Sequence, residues 1–189
     1  MFRRARRITI AVILVLVVGA VAVLVTGRSA LDHDQSTAAN RWTPNRAPLD
    51  TRYQRLTALN TAVKNAGGAD RDAVKDLDDA LSRWAQLHRA SDAAANTAAE
   101  VTTANELEGL AARLLTDISA SARLQENPGV AAAVTALAAA PPPDVALAAY
   151  NDAVRKYEDT RNSLFRRVAA NAFGYDSLPT FQPPATPRA

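Results

Sequence analysis

The chain has 189 residues, no cysteine and a formal charge of +3. Its length allows one domain with its own core, and the lack of cysteine excludes disulfides and thiolate metal sites. Arg3, Arg4, Arg6, Arg7 and Arg28 are five of the 22 Lys and Arg, so residue 29 onward holds 17 against 19 Asp and Glu, a balance of −2. The pI of about 9.6 therefore belongs to the N-terminal flank and gives no reason to expect nucleic acid.

Residues 1–7 form a basic flank. Ile8 to Thr26 follows, nineteen residues without a charge. As a helix this run spans roughly 28 Å, the thickness of a bilayer core, so residues 8–27 read as a transmembrane anchor. A cleaved signal peptide fits less well, because the apolar run is long and Arg28 occupies the nearest small-residue site. Four arginines before the run place the N-terminus in the cytoplasm and the rest outside the cytoplasmic membrane.

Residues 28–48 contain Asp32, Asp34, Asn40, Pro44, Asn45 and Pro48 and read as a linker. Trp42 within it either sits at the membrane interface or packs on the domain. Asp50 is a helix cap, and Tyr53, Leu56, Leu59 and Val63 make an apolar stripe that ends at Gly67-Gly68. A second helix follows Asp70 and carries Val74, Leu77, Leu81, Trp84 and Leu87. Thr103-Ala104-Asn105-Glu106 has the spacing of a capping box and predicts a third helix bearing Leu107, Leu110, Leu114 and Ile118. Asn127-Pro128 starts another helical limb. Pro141-Pro142-Pro143 interrupts it, and Asp144 restarts it. The last helix carries Val145, Tyr150, Val154, Tyr157, Leu164 and Val168 and stops at Phe173-Gly174. Residues 176–189 read as a proline-rich disordered tail. The expected fold is all-α: a transmembrane helix, then an antiparallel up-and-down bundle of three to four long helices over residues 49–175.

The octet Tyr150-Asn151-Asp152-Ala153-Val154-Arg155-Lys156-Tyr157, with Phe173-Gly174-Tyr175 and Phe181 at their spacing, resembles the C-terminal motif of LemA family proteins. Leu59-Asn60-Thr61-Ala62-Val63-Lys64 and the stretch from Thr103 through Asn127 are similar to earlier family segments. The resemblance covers about residues 50–181 and implies a divergent member. It implies one membrane helix and long antiparallel helices, but no defined activity. The family proline of the last helix is Phe165 here, and the triple proline breaks what is one helix in the family. The family is often described with an extracellular N-terminus; the arginine cluster here reads the other way.

The search for chemistry yields little. His33 and His88 have no second ligand at helical spacing. Asp72, Asp76, Asp78 and Asp79 read as a solvated helix face rather than a calcium loop. No phosphate loop or nucleophile motif is present. No catalytic, cofactor or metal residue is assigned. Tyr150, Asn151, Asp152, Arg155 and Tyr157 are a candidate partner surface, with internal hydrogen bonding between helices as the alternative. Arg161, Arg166 and Arg167 are candidates for lipid headgroup contact, with pairing to bundle acids as the alternative. The expected role is an envelope interaction or scaffold protein, in contact with the bilayer and a protein partner. A sensor domain and, behind it, an envelope hydrolase are the rivals.

Overall fold

The computed structural model describes the backbone of residues 2–89 and 96–182 and the side chains of residues 24–87, 96–164 and 166–182. Among them are seven helices and no strand: α1 Phe2–Val63, α2 Asp72–Arg89, α3 Thr97–Ser119, α4 Ala122–Gln125, α5 Pro128–Ala138, α6 Asp144–Asn162 and α7 Leu164–Phe173. The chain is all-α, as the periodicity predicts. It divides into two compact units. Unit 1 joins residues 1–38 with 153–178, and unit 2 joins residues 39–152 with 179–189.

The expected linker is helix instead. Residues 28–48 lie inside α1, with Pro44 and Pro48 in the helix interior. Each proline removes one backbone hydrogen bond and costs about 3 kcal/mol in such a position. Burial of the flanking residues offsets that cost. In unit 2 the buried positions of α1 are Trp42, Asn45, Leu49, Tyr53, Leu56, Leu59, Asn60 and Val63, a stripe built on three- and four-residue steps. Fully burying one such large apolar side chain is worth about 1.5–3 kcal/mol. Both prolines are exposed, on the other face. Asn45 Nδ2 donates to the Arg41 carbonyl at 3.0 Å, a second donor in the turn that Pro44 loosens.

Asp50 lies within α1, so it caps no helix. Its carboxylate instead accepts from Trp84 Nε1 on α2 at 2.7 Å. The Trp84 ring meets Tyr53 edge-on at 4.8 Å between centroids. Glycine ends α1 as expected: Lys64–Gly68 is a π-helical turn in which Gly67 has φ of +82°. A side chain there would be strained by that backbone and would also meet the Arg123 guanidinium.

The capping box does not start α3, which begins at Thr97. Thr103 is buried within the helix, one turn after Glu100, which is itself buried and paired with Arg46. Asn127 does cap α5, accepting from the Gly129 and Val130 amides at 3.0 and 3.1 Å ahead of Pro128. The triple proline separates α5 from α6 as predicted. The core of unit 2 gathers Leu56 and Leu59 of α1, Leu77 and Trp84 of α2, Leu107 and Leu114 of α3, Leu137 of α5 and Tyr150 of α6.

The expected last helix is two. Ser163 is extended (φ −64°, ψ 141°) and divides α6 from α7 without a proline at the break. The break takes Leu164 and Val168 off the stripe: both are exposed, as is Val145 at the start of α6, whereas Leu147, Val154 and Tyr157 are buried. Gly174 then closes α7 in the left-handed conformation expected of it, at φ +73°. In unit 1, Leu31, Tyr157, Ala169 and Ala170 form the buried cluster, with Leu24, Tyr175 and Leu178 packed against it.

The anchor expected over residues 8–27 falls, up to residue 23, on side chains outside those described. Among the described residues no helix is long and apolar enough to cross a membrane. The expected tail splits similarly. Residues 183–189 lie outside the described residues, but residues 176–182 are ordered, and Phe181 is buried.

Candidate interaction site

The α6 octet meets the chain's own tail. A proline-containing extended segment has no ladder of internal hydrogen bonds, so side chains must satisfy its backbone. In unit 2, Asn151 does this from both sides of its amide. Its Nδ2 donates to the Phe181 carbonyl at 2.9 Å, and its Oδ1 accepts from the Phe181 N–H at 2.8 Å. Asn105 of α3 repeats the arrangement one residue out of step. Its Nδ2 donates to the Thr180 carbonyl at 2.9 Å, and its Oδ1 accepts from the Gln182 N–H at 2.8 Å. Tyr150 donates its hydroxyl to the Pro179 carbonyl at 2.7 Å.

An aromatic floor lies beneath this clamp. The Trp42 ring stands edge-on to Tyr150 at 5.1 Å and tilted against Phe181 at 6.4 Å. All three are essentially fully buried. Burial pushes the Tyr150 hydroxyl well above the usual phenol range, so it stays a neutral donor.

In unit 1 the same helix serves the segment that precedes the clamp. The Tyr157 hydroxyl donates to the Asp176 carbonyl at 2.8 Å, and Glu158 Oε1 accepts from the Leu178 N–H at 2.9 Å. Arg161 Nε donates to the Tyr175 carbonyl at 2.9 Å, and its Nη1 pairs with Glu158 at 3.2 Å. Burial, with the nearby Glu158 charge, pushes Tyr157 up to about 12.

The residues expected to form a partner surface therefore separate. Tyr150 and Tyr157 are buried, and Asn151 is half-buried and spent on Phe181. These three take the internal-bonding alternative. Asp152 and Arg155 are exposed. Of the residues expected at lipid headgroups, Arg161 is committed to Tyr175 and Glu158, whereas Arg166 and Arg167 are exposed.

Three polar features escaped sequence reasoning. Two are carboxylates of α3, Glu100 and Glu108, both nearly without exposure. Glu100 accepts from Trp42 Nε1 at 2.5 Å and from Arg46 Nε at 2.8 Å. Glu108 takes a bidentate pair from Arg52 at 2.6 and 2.7 Å, and Arg52 also donates to the Ala140 carbonyl at 2.8 Å. Burial opposes the Arg52 charge, but the Glu108 hydrogen bonds and charge outweigh it and raise the guanidinium pKa. The signal was present in sequence: two acids eight residues apart fall on the buried face of a helix, with Ala104 between them.

The third is Asp34 of unit 1, buried on the stripe Gly27, Leu31, Asp34, Ala38. It accepts from Thr160 Oγ1 at 2.7 Å and pairs with Lys156 Nζ at 2.9 Å. Burial favours its neutral form, but the hydrogen bonds from Thr160 and Lys156, and the charges of Lys156 and His33, hold its pKa below the usual carboxylate value.

The acidic cluster does not converge. Asp78 accepts from Asn60 Nδ2 at 2.8 Å and pairs with Lys64. Asp76 and Asp79 line an open pocket of about 300 Å³ with Arg83, Glu106, Gly109 and Arg113. Arg83 and Glu106 pair across it at 2.5 Å. Among the described residues no group of three acidic, histidine or cysteine side chains is placed to hold a metal ion. His33 is exposed, and the His88 side chain lies outside the described residues. No protein-family model, curated protein or solved structure matches the chain.

Proposed function

We propose that the chain is a single-pass, membrane-anchored helical bundle that serves as an interaction or scaffold protein of the cell envelope, a divergent LemA-like protein. No catalytic step is assigned to it. Residues 8–27 are the anchor, the N-terminus is cytoplasmic and the bundle lies outside the cytoplasmic membrane. The observation that carries this reading is the continuity of α1. The uncharged run Ile8–Thr26 belongs to the same helix that buries Leu31, Asp34 and Ala38 in unit 1. A helix that leaves the bilayer without a flexible joint holds its packed partners close to the surface. That is the property a presenting scaffold needs.

Washing membranes at alkaline pH tests the anchor. The full chain should stay with the lipid and a chain lacking residues 2–26 should be released. Release of the full chain would end the proposal. Crosslinking in cells, followed by mass spectrometry, tests the interaction role; turnover of an envelope substrate by the purified chain, with no protein crosslinked, would replace it with the hydrolase reading.

One observation favours a sensor as the second reading. The pocket between α2 and α3 presents Asp76, Asp79 and Glu106 beside Arg83 and Arg113, a mixed-charge lining suited to a small zwitterion. Screening small zwitterions by thermal shift decides this, because a specific ligand should raise the melting temperature in the native chain and not in Arg83→Ala.

A further inference from the structure

We infer that α7 is an interfacial helix that lies on an anionic bilayer surface where α1 emerges from the membrane. The inference rests on the anchor reading above and adds a second membrane contact to it. Its first support is position. Ala169 packs so closely on Gly27 that a Cβ at residue 27 would come within 2.9 Å of the Ala169 Cβ. Gly27 directly follows the uncharged run, so α7 sits about one residue's rise, roughly 1.5 Å along the helix, beyond the end of that run. Arg28 stacks on the Phe173 ring at 5.1 Å and fixes the far end of α7 at the same level.

The second support is what α7 leaves uncovered. Five large apolar side chains stand out as exposed among the described residues, and four belong to unit 1: Val25, Leu164, Val168 and Phe173. Leu164 and Val168 are 87% and 59% exposed and lie one helical turn apart, opposite the face of Ala169 and Ala170 that packs inward. An apolar row of this kind on a short helix has no reason to stay in water when a bilayer begins at its edge. The third support is charge. Arg167 is exposed beside that row, and Arg166, also exposed, lies on the opposite face where its stem runs against Gly27. Arginine stems lie along apolar surface while the guanidinium reaches phosphate, the arrangement seen in helices seated at the headgroup boundary. Anionic headgroups match that charge.

The absence of cysteine permits a direct test on the full chain. Val168→Cys and Ser36→Cys, each carrying an environment-sensitive fluorophore, are reconstituted into vesicles of phosphatidylcholine alone or with phosphatidylglycerol. A doxyl quencher is placed near the headgroups. Ser36 is exposed and lies ten residues past Thr26, about 15 Å along α1. The probe at 168 should be blue-shifted and quenched, more strongly with phosphatidylglycerol, and the probe at 36 should be neither. Arg166→Glu with Arg167→Glu should abolish the lipid dependence. A chain that floats with vesicles while the probe at 168 behaves like the probe at 36 would overturn this inference and leave the anchor intact. A chain that does not float would overturn both. Equal quenching in the two lipids would overturn the role given to the arginines.

Discussion

Asn151 holds both backbone polar groups of Phe181, accepting from its N–H and donating to its carbonyl, as a neighbouring strand would. One side chain thus converts a proline-rich end into a fixed part of unit 2. Asn151→Ala leaves two half-buried backbone groups without protein partners. The expected loss is about 1–3 kcal/mol of local stability. Chymotrypsin should then cleave after Phe181 well before the rest of the chain is digested. Unchanged protection of Phe181 in this variant would contradict the clamp.

Phe181 should matter more than any other described tail residue. Its burial against Trp42 predicts that Phe181→Ala costs about 3–5 kcal/mol. Denaturant titration followed by tryptophan emission reads this loss, with Gln182→Ala as the near-neutral comparison.

In the Arg52–Glu108 pair the carboxylate is buried and the guanidinium largely so, at 13% exposure. Removing one member leaves the other as an uncompensated charge. Glu108→Ala should therefore cost about 3–5 kcal/mol, while Arg52→Met combined with Glu108→Leu should be close to neutral. A double-mutant cycle measured by chemical denaturation checks both expectations. Equal losses in the single and double variants would contradict them.

Asp34 sets an acid limit on unit 1. Its folded pKa is held below the ordinary carboxylate value, so the stabilisation is present above that value and is lost as pH falls through the folded pKa. Thermal melting across an acid series should show a decline below about pH 4 that is shallower in Asp34→Asn. The same slope in both proteins would show that Asp34 is not responsible.

Pro44 and Pro48 are exposed within α1 and each removes a helical hydrogen bond. Replacement by alanine restores that bond, so each variant should gain about 1–3 kcal/mol. A fall in melting temperature would mean that the prolines shape the helix in a way its packing requires.

These prolines also explain where sequence reasoning stopped. The helical class, the Asn127 cap, the triple-proline break and the two left-handed glycines were legible because each is a local preference. Residues 28–48 were not, since their buried stripe runs through Asp34, Ala38 and Asn45, which carry no apolar signal. The capping box at Thr103 was misleading for a related reason: α3 extends upstream through Glu100, whose partners Trp42 and Arg46 are more than fifty residues away. The candidate site was legible as a motif but not as a contact. Tyr150, Asn151 and Tyr157 stood out, yet their partners are backbone atoms of Pro179, Phe181 and Asp176, which no side-chain pattern announces.

On the function proposed above, residues 8–27 of α1 cross a membrane with the N-terminus inside. A single cysteine reacted with a membrane-impermeant maleimide in intact cells tests it most directly, because the native chain has none. Gln54→Cys, at an exposed position of α1, should label without lysis, and Phe2→Cys should label only after lysis. Labelling of residue 2 in intact cells, with residue 54 protected until lysis, would contradict the account.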